Sequence, residues 1–489
     1  MDSVSVEEKV QISVPKSEND SLKRIQEVFE LQKENLQTLK NSTAKDRKKK
    51  LKKLKDAIFS NREKIQEAIY KDFKKPALET DISEIYPTIS ELKHTLAHFE
   101  EWMEDEYVDT PITLIGSSAY VKYEPKGNCL IITPWNYPFY LAISPIIYAI
   151  ASGNATMLKP SEFTPHTSLA VKELLAQVFN ESEVAVILGD HTVSSALLKL
   201  KFDHIHFTGS PAVGKIIMKA ASEHLTTCTL ELGGKSPTII DETANIKEAA
   251  TKIVWGKYLN EGQTCIAPDY VLVHQSKKDE LIKAMKEQIA KKYGKDKEAR
   301  MQSGNLTRIV NSKHYNRLVE LTQEAIEEGA VVETGATYEK DDNFIDPTIL
   351  SNIAPHSDIM NEEIFGPIMP VIGFKSLDEA LEIVNEKEKP LALYIFSKKE
   401  KNINYILEHT SAGGTCVNDT ILHITQTNLP FGGINNSGIG KSHGKWGFVD
   451  FCNERSVLRQ HLPFGMSQLM YPPYNKWTKK LIDITMKWF

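Results

Sequence analysis

A cysteine stands in a short polar turn of this 489-residue chain, between an apolar helical run and an apolar strand. Cys265 lies within residues 259–269, and the strand-like run Tyr-Val-Leu-Val follows at residues 270–273. Backbone N–H groups at such a junction can lower the pKa of a thiol and stabilise charge on its substrate. The turn therefore predicts a nucleophile. The alternative is a buried cysteine that packs as a small apolar side chain, which is common in intracellular proteins.

Two further polar side chains occupy positions suited to acyl chemistry. Asn136 lies in a loop restrained by two prolines, where its amide could donate a hydrogen bond to an oxyanion. Glu231 stands beside Gly-Gly-Lys at residues 233–235, where desolvation can raise the pKa of a carboxyl group into the range of a general base. The alternatives are a structural turn amide for Asn136 and a hinge glutamate paired with a lysine for Glu231.

The ends of two other strands carry residues that could hold a cofactor. Gly209, Ser210 and Gly214 lie where a strand hands over to a helix, whose N-terminus favours phosphate. Lys159 ends another strand and is followed by Glu162, so the two could hold ribose hydroxyls. The glycine loop lacks the GxGxxG fingerprint, so a plain strand–helix turn and a surface ion pair are the alternatives.

Strands and helices alternate around these residues. Fully apolar strands that alternate with helices indicate parallel sheets covered on both faces, which bind ligands at the carboxyl ends of their strands. The alternation restarts after residue 232, so we predict an α/β fold with two doubly wound parallel-sheet domains and a small β arm for oligomerisation. The predicted strands are 129–132, 155–158, 184–187, 204–207, 238–240, 270–273, 331–332, 370–372, 393–396 and 414–417.

Composition excludes several classes of protein. The net charge of -6 does not suggest nucleic acid as a partner, and the basic run at residues 46–55 has the apolar spacing of a solvated helix rather than of an anion-binding surface. The five cysteines are odd in number and widely spaced, which argues against disulfides and against a metal site. The N-terminus lacks a signal peptide, and the longest apolar run, 139–151, is too short to span a membrane. We therefore expect a cytoplasmic protein.

Taken together, the motifs resemble those of the aldehyde dehydrogenase superfamily. The resemblance extends from about residue 22 to residue 475, and four further segments are similar to the class 3 or fatty aldehyde dehydrogenase group. The motifs are Asn136, Lys159, residues 207–215, Glu231 in Glu-Leu-Gly-Gly-Lys, Cys265 in Gly-Gln-Thr-Cys, and residues 362–367 and 429–433; the class 3 segments are 262–270, 435–440, 443–445 and 471–474. Members of that group are typically dimers that oxidise medium- and long-chain aliphatic or aromatic aldehydes with NAD, and many also accept NADP.

The resemblance implies a role for each matching residue. Cys265 would attack the aldehyde to give a thiohemiacetal and then a thioester, with the oxyanion held by Asn136 and the Cys265 N–H. Glu231 would activate the water that hydrolyses the thioester. The implied cofactor contacts are Lys159 and Glu162 at the adenosine ribose, residues 209–214 at the pyrophosphate, Glu363 at the nicotinamide ribose and Phe365 at the nicotinamide end. Because the Glu162 carboxylate accepts a 2′-hydroxyl but repels a 2′-phosphate, we predict that NAD is preferred over NADP.

Domain boundaries follow from the pattern and the resemblance. They are 1–20 for a mobile N-terminal arm, 21–109 and 124–231 for the NAD(P)-binding domain, 232–440 for the catalytic domain, and 110–123 with 441–489 for the oligomerisation arm and C-terminal helix. The helix at residues 479–489 has an apolar face, which could cover the substrate mouth or touch a membrane, or could simply pack on its own subunit or on a dimer partner. Two other functions remain open: a coenzyme A-acylating relative, and a catalytically silent member of the fold.

Overall fold

The computed structural model describes residues 18–354, 356–463, 468 and 471–488. All but the last three residues of the predicted N-terminal arm lie outside that part of the chain. The α-helices are α1 (Glu18–Lys40), α2 (Ala44–Ser60), α3 (Arg62–Phe73), α4 (Ala77–Thr80), α5 (Tyr86–Trp102), α6 (Tyr140–Ser152), α7 (Pro165–Ala176), α8 (His191–Leu197), α9 (Pro211–Ser222), α10 (Ile246–Tyr258), α11 (Lys278–Lys292), α12 (Lys297–Gln302), α13 (Ser312–Glu327), α14 (Asp358–Asn361), α15 (Leu377–Asn385), α16 (Glu400–His409), α17 (Gly444–Asp450) and α18 (Lys476–Trp488).

The α/β fold with two parallel sheets and a small β arm is confirmed. All ten predicted strands are present, and the structure adds others, among them β7 and β18. The strands are β1 (Glu106–Val108), β2 (Ser117–Pro125), β3 (Asn128–Ile132), β4 (Ala155–Lys159), β5 (Val184–Val186), β6 (His204–Thr208), β7 (Thr227–Glu231), β8 (Pro237–Ile240), β9 (Tyr270–His274), β10 (Val331–Thr334), β11 (Tyr338–Glu339), β12 (Phe344–Ile345), β13 (Thr348–Ser351), β14 (Ile368–Phe374), β15 (Ala392–Phe396), β16 (Gly414–Val417), β17 (Gly438–Ile439) and β18 (Cys452–Gln460).

The first large sheet has six strands in the order β17-β7-β6-β3-β4-β5. Its strands are parallel except for β17, which pairs antiparallel to β7. The chain leaves β3 for β4 and β5 on one side and returns to β6 and β7 on the other. The carboxyl ends of β3 and β6 therefore form the switch point, where open sheets of this kind bind ligands.

The second large sheet has seven strands in the order β10-β13-β14-β9-β8-β15-β16. Only the edge strand β10 is antiparallel to its neighbour. Residues of β8, β9 and β15 are buried on both faces, with β9 leaving only its last residue partly exposed. The Cys265 turn enters this sheet through β9, so the most buried strands of the sheet fix the position of the cysteine.

A third sheet joins β18, from the second half of the chain, to the hairpin before β3. Strand β2 pairs with β1 on one side and with β18 on the other, the latter through nine residue pairs from Cys452↔Pro125 to Gln460↔Ser117. The hairpin predicted at residues 110–123 is present in shifted form, because residues 112–114 make a single turn of 3-10 helix. Most side chains of β18 are exposed, so the backbone ladder rather than apolar burial defines this strand.

The helical run predicted from residue 22 to residue 61 is divided into α1 and α2. Thr43 and Asp46 form a capping box at the start of α2, which ends the preceding helix and begins the next. Leu51, Leu54 and Ile58 are buried, so most of the basic run is the outer face of a packed helix, as predicted, but Arg47 is buried and donates to the backbone oxygen of Ala151. None of the helices in the described part of the chain is long and apolar enough to cross a membrane.

Candidate active site

The loop after β3 carries Asn136 to the turn that carries Cys265. The Asn136 side chain is buried, and its Nδ2 donates to the backbone oxygen of Gln263 at 3.0 Å. The backbone oxygen of Asn136 accepts from Asn260 Nδ2 at 2.9 Å. Because an amide nitrogen carries two hydrogens, the side chain can hold the turn with one and donate to an oxyanion with the other.

A fully buried ion pair fixes this loop from behind. Lys75 and Glu84 are both 0% exposed, with Nζ 2.6 Å from Oε1. The other oxygen of Glu84 accepts the backbone N–H of Phe139 at 2.8 Å and of Tyr140 at 3.2 Å. Lys75 Nζ lies 3.3 Å from the Asn136 backbone oxygen. Two charges in the interior are stable only with such partners, so the pair ties the Asn136 loop to the helices before β1.

The turn that carries Cys265 has an unusual backbone. Asn260 and Glu261 both have a φ of 54°, and Gly262 has a φ of 71°. A Cβ on Gly262 would lie 2.3 Å from the backbone oxygen of Gly366, so only glycine fits this position. The Gln263 side chain then closes the turn, since it donates to Asn260 O and accepts from the N–H of Val310, each at 3.0 Å.

The environment of the Cys265 thiol favours its neutral form. Burial raises the pKa of the thiol well above its usual value, and the nearby carboxylates of Glu363 and Glu231 raise it further. The backbone N–H groups of Cys265 and Ile266 face the sulfur and act in the opposite direction. The prediction that backbone N–H groups lower the pKa of this thiol is therefore right about the groups but wrong about the net effect, because burial and the two carboxylates outweigh them.

Glu231 ends β7 inside the site. It is 6% exposed, and its Oε1 accepts a short hydrogen bond from Ser442 Oγ. Glu231 also affects Lys441. Burial lowers the pKa of the Lys441 ammonium group, and the charge of Glu231 raises it. The carboxylate is thus held by a serine that follows β17. Among the described residues, no lysine is bonded to Glu231. The alternative of a hinge glutamate paired with a lysine therefore does not hold.

Glu363 lies against the two glycines that follow Glu231. A Cβ on Gly233 would be 2.1 Å from Glu363 Oε2, and the N–H of Gly234 donates to the same carboxyl group. Burial, with a smaller contribution from Asp269, raises the pKa of Glu363 to about 8. The glutamate therefore sits between the carboxyl end of β7 and the Cys265 turn, close enough to affect the thiol.

A second buried ion pair holds the loop that bears Glu363. Lys235 Nζ lies 2.5 Å from Asp269 Oδ2 and also donates to the backbone oxygens of Ile359 and Glu362, at 2.7 and 2.8 Å. Asp269 in turn accepts the N–H of Ile364 at 3.0 Å. The ammonium group thus has three acceptors, and the pair joins the turn after Cys265 to the 359–364 loop.

Phe365 follows Glu363 in a strained conformation. Its φ is 52°, which is uncommon for a bulky residue. Its ring packs edge-on against Trp135, with centroids 5.4 Å apart, and Trp135 also contacts His314 at 5.0 Å. The aromatic cluster joins the loop after β3 to the 359–365 segment. The positive φ of Phe365 thus accompanies packing of its ring against Trp135, the residue before Asn136.

The predicted cofactor residues lie at the carboxyl edge of the first sheet. Lys159 is 3% exposed at the end of β4, with Nζ 2.7 Å from Glu162 Oε2, so this pair is largely buried on its lysine side rather than a surface pair. Ser210 caps α9, and its Oγ accepts from Val213 N at 3.4 Å. A Cβ on Gly214 would lie 2.8 Å from Leu232 Cδ2, so this glycine allows α9 to pack closely on the segment after β7.

These residues fit a dinucleotide. The α9 N-terminus is open to solvent and presents its positive dipole end, while Val213 and Ile216 on the same helix are 41% and 61% exposed. A phosphate could meet the helix end and an aromatic ring could cover the apolar side chains. The predicted residues lie in two places. Those at or after the ends of first-sheet strands are Asn136, Lys159, Glu162, Gly209, Ser210, Gly214 and Glu231, and those on segments before β9 and β14 of the second sheet are Cys265, Glu363 and Phe365.

Sequence reasoning missed the residues that hold this site in place. They are Lys75, Glu84, Lys235, Asp269, Gln263 and Ser442. Lys235, Gln263 and Asp269 stand inside recognised motifs, and that position is the one available signal. Lys75 and Glu84 carry no local pattern that separates them from exposed charges.

Comparison with known proteins shows the family of this chain. The aldehyde dehydrogenase family model matches residues 5–457. Aldehyde dehydrogenase family 3 member B1 of Mus musculus is 39% identical over 469 residues, covering 96% of this chain and 97% of the relative. The dimeric NADP-preferring aldehyde dehydrogenase of Mus musculus is 41% identical over 428 residues, covering 87% of this chain and 93% of that one.

Two bacterial relatives agree. The 4,4'-diaponeurosporen-aldehyde dehydrogenase of Staphylococcus aureus is 43% identical over 428 residues, covering 88% of this chain and 92% of the relative. A solved structure of Staphylococcus aureus AldH in a substrate-bound state has a TM-score of 0.90 and 41% identity, covering 94% of this chain and 99% of the other. The chain therefore belongs to the aldehyde dehydrogenase family, as an oxidoreductase that acts on aldehydes with a nicotinamide cofactor.

Proposed function

We propose that this enzyme oxidises medium- or long-chain aliphatic or aromatic aldehydes to carboxylic acids through a covalent intermediate on Cys265. The observation that supports this is the surroundings of the thiol. The carboxylates of Glu231 and Glu363 both act on its pKa, and the Asn136 amide is bonded to the turn that carries it. A nucleophile, two carboxylates and an amide donor in one place are what oxidation through a thioester requires.

The first step is attack of the sulfur on the aldehyde carbon. Because burial keeps the Cys265 thiol neutral at pH 7, its proton must leave as the C–S bond forms, and Glu231 accepts it. The carbonyl electron pair moves to oxygen. The resulting oxyanion receives hydrogen bonds from Asn136 Nδ2 and from the backbone N–H of Cys265.

The second half of the reaction hydrolyses the acyl group. The nicotinamide cofactor, when bound, supplies the acceptor for the hydride that leaves the thiohemiacetal carbon. A thioester on Cys265 remains. Glu231 releases to solvent the proton that it took from the thiol and, ionised again, takes a proton from the water that attacks the thioester. The acid departs as the C–S bond breaks, and the sulfur regains a proton. Ser442 directs one carboxylate oxygen of Glu231 throughout.

Binding of the cofactor falls to the edge of the first sheet. Lys159 and Glu162 would hold the adenosine ribose, residues 209–214 the pyrophosphate, and Glu363 the nicotinamide ribose, with Phe365 beside the nicotinamide. The Glu162 carboxylate supports NAD over NADP. One relative is named as NADP-preferring, so the preference of this enzyme between NAD and NADP should be measured. A kcat/KM that clearly favours NADP would contradict this proposal.

The test is formation of NADH with a series of aliphatic and aromatic aldehydes. Cys265→Ser should abolish it, whereas Cys228→Ser is the matched control, because Cys228 is a partly buried thiol on β7 outside the proposed machinery. Glu231→Gln should slow the first turnover, because the Cys265 thiol loses its proton acceptor, and should form no more than one equivalent of NADH per site, with an acyl group retained on Cys265 and seen as a mass increase. Steady turnover in Glu231→Gln would contradict the assigned base.

Adding coenzyme A separates the alternative acyl transfer. If the enzyme hydrolyses its thioester with Glu231, coenzyme A leaves the rate and the acid product unchanged. An acyl-coenzyme A product would instead identify the acylating alternative. Absence of NADH with every aldehyde in the series would identify a catalytically silent member of the fold.

The remaining parts of the proposal concern assembly and location. We propose a homodimer in which the sheet β1-β2-β18 and residues 441–489 serve assembly, and we keep the domain boundaries given above. A cytoplasmic location rests on five free cysteines. In α18, Leu481, Ile482 and Thr485 are partly buried and Trp488 is 70% exposed, while Phe489 lies outside the described residues.

Deletion of residues 478–489 tests the role of α18. If the helix covers the substrate mouth, the variant should lose activity on long-chain aldehydes, and if it touches a membrane surface, the variant should no longer sediment with vesicles. Unchanged kinetics and unchanged sedimentation would leave packing on the subunit or its dimer partner as its role.

A further inference from the structure

Two histidines of β6 and one aspartate lie together at one face of the first sheet. His204 and His206 are two residues apart on this strand, so their side chains leave the same face. The side chains are 1% and 2% exposed, and both face Asp450 at the end of α17. None of these three residues takes part in the chemistry proposed for Cys265.

Their separations match metal ligands better than hydrogen bonds. Asp450 Oδ2 lies 3.3 Å from His204 Nε2 and 3.7 Å from His206 Nδ1. Charge-assisted hydrogen bonds are about 2.7–2.9 Å long. Two ligands at about 2.0–2.2 Å from a tetrahedral ion lie roughly 3.4 Å apart. All three donor atoms lie within 4.8 Å of one another.

The same three atoms are buried without a hydrogen-bond partner among the described residues. Buried polar atoms are rarely left in this state, and three that converge on one point indicate a missing ligand.

The surrounding hydrogen bonds direct the lone pairs inward. Thr227 Oγ1 lies 2.9 Å from His204 Nδ1 and gives its own hydrogen to the Asp203 backbone oxygen, so it can accept Nδ1–H and leave Nε2 free. Thr229 Oγ1 donates to Asp450 Oδ1 at 2.5 Å, which leaves Oδ2 free. Metal-ligating histidines and carboxylates are oriented in this way by their neighbours.

One cation lies nearby and has its own partners. Lys126 Nζ lies 3.3 Å from His204 Nδ1, on the ring edge opposite Nε2, and donates a short hydrogen bond to the Asp450 backbone oxygen. A cavity of about 730 Å³ adjoins the cluster and is lined by Lys126, Asp450 and Cys452 among others. Water from this cavity can reach the carboxylate.

We propose that His204 Nε2, His206 Nδ1 and Asp450 Oδ2 bind one divalent transition-metal ion, with Zn²⁺ as the ion that suits two imidazoles and a carboxylate, and water in the fourth position. The sequence argument against a metal site considered cysteine spacing, and this site uses no cysteine. The ion would join β6, which leads to the Gly209 loop, to the junction of α17 and β18.

The test is titration of the full-length, chelator-stripped protein with Zn²⁺ and with Co²⁺. To remove the thiol of the active site as a competing ligand, the titrations use the Cys265→Ser background. We expect one Zn²⁺ per chain, a rise in Tm, and visible Co²⁺ bands of a tetrahedral nitrogen and oxygen site without a thiolate charge-transfer band.

Matched variants decide the assignment. His206→Phe and Asp450→Asn should each lose the tight equivalent and the rise in Tm, whereas His191→Gln, which removes an exposed histidine on α8, should keep both. If a variant fails to fold, the Co²⁺ spectrum of the other still tests the site. Lack of binding to the parent protein, a thiolate band, or equal binding in all three variants would overturn the proposal.

Discussion

The loops that carry Asn136 and Glu363 are each held by a buried lysine–carboxylate pair. The two pairs differ in which member makes most of the contacts with the backbone. In the Asn136 loop the carboxylate of Glu84 binds two backbone N–H groups, while Lys75 has only one further acceptor, at 3.3 Å. In the Glu363 loop the ammonium of Lys235 binds two carbonyls. The first pair therefore fixes N–H groups at the start of α6, and the second fixes the carbonyls of Ile359 in α14 and of Glu362 just after it.

The two ion pairs support different parts of the site. Lys75–Glu84 is fully buried and belongs to the core beneath the oxyanion donor. Lys235–Asp269 lies under a residue proposed to bind the cofactor, and its side chains are 6% and 4% exposed. We expect loss of the first pair to reduce folding stability and the chemical step, and loss of the second to affect chiefly cofactor binding.

The largest expected effect is that of Lys75→Met. It leaves the Glu84 carboxylate buried without its cation, which costs about 3–5 kcal/mol of unfolding free energy. Chemical denaturation followed by fluorescence measures this loss. The double variant Lys75→Met/Glu84→Gln should recover part of it, because no charge is then left unpaired. A single variant as stable as the parent would contradict the account of the Asn136 loop.

Next is Asn136→Ala, which keeps the ion pair and removes the oxyanion donor. We expect kcat to fall by about 10²- to 10³-fold, with little change in the KM for the cofactor. Asn260→Ala is a useful comparison, because it removes the other amide bonded to the Gln263 carbonyl without removing the oxyanion donor. A loss seen only in KM would contradict the role of Asn136.

On the other loop, Lys235→Met should act mainly through Glu363. The variant frees the Ile359 and Glu362 carbonyls, so we expect the KM for NAD to rise by about tenfold, the equivalent of roughly 1.4 kcal/mol. The mutation also leaves Asp269 unpaired, and Lys235→Met/Asp269→Asn controls for that charge. A change confined to kcat, with KM for NAD unaltered, would erase the contrast between the loops.

The last prediction is a pH dependence of stability, which develops gradually over several pH units. The pKa of Glu363 is about 8 in the folded protein against a usual value near 4.5, so the folded state holds an extra proton between these values. Stability therefore falls as pH rises through this window, by at most about 1.4 kcal/mol per pH unit. Glu363→Gln removes this titration. The difference in Tm between the variant and the parent, measured without cofactor, should therefore grow from about pH 5 to about pH 8. A constant difference would contradict it.

Most of the predicted strands, such as β3 and β15, are apolar runs buried on both faces, and such burial leaves a clear pattern. Sequence reasoning missed β18, where eight of nine side chains are partly or fully exposed and the backbone of β2 supplies the pairing. It also missed β7, which begins at the exposed Thr227. A strand defined by its hydrogen-bonded neighbour leaves little trace in its own composition.

The same reasoning separates the chemistry of the site from its support. Cys265, Glu231 and Asn136 were recognisable because their motifs, taken together and in order, resemble those of a known family, although each residue alone was ambiguous. Lys75 and Glu84 were not, because nothing in their local sequence shows that both side chains are 0% exposed. Contacts between residues far apart in the chain decide the burial of charges, and a single sequence does not contain them.

Strand β17 has a consequence for synthesis of the protein. Glu231 receives its hydrogen bond from a serine 211 residues further along the chain, and the edge of the first sheet is completed by β17 from the same region. On the ribosome, the first sheet must therefore wait for almost the whole polypeptide before its last strand and the partner of Glu231 emerge. Slow translation or truncation near the C-terminus should thus leave the first half of the enzyme with an unpaired sheet edge, open to aggregation.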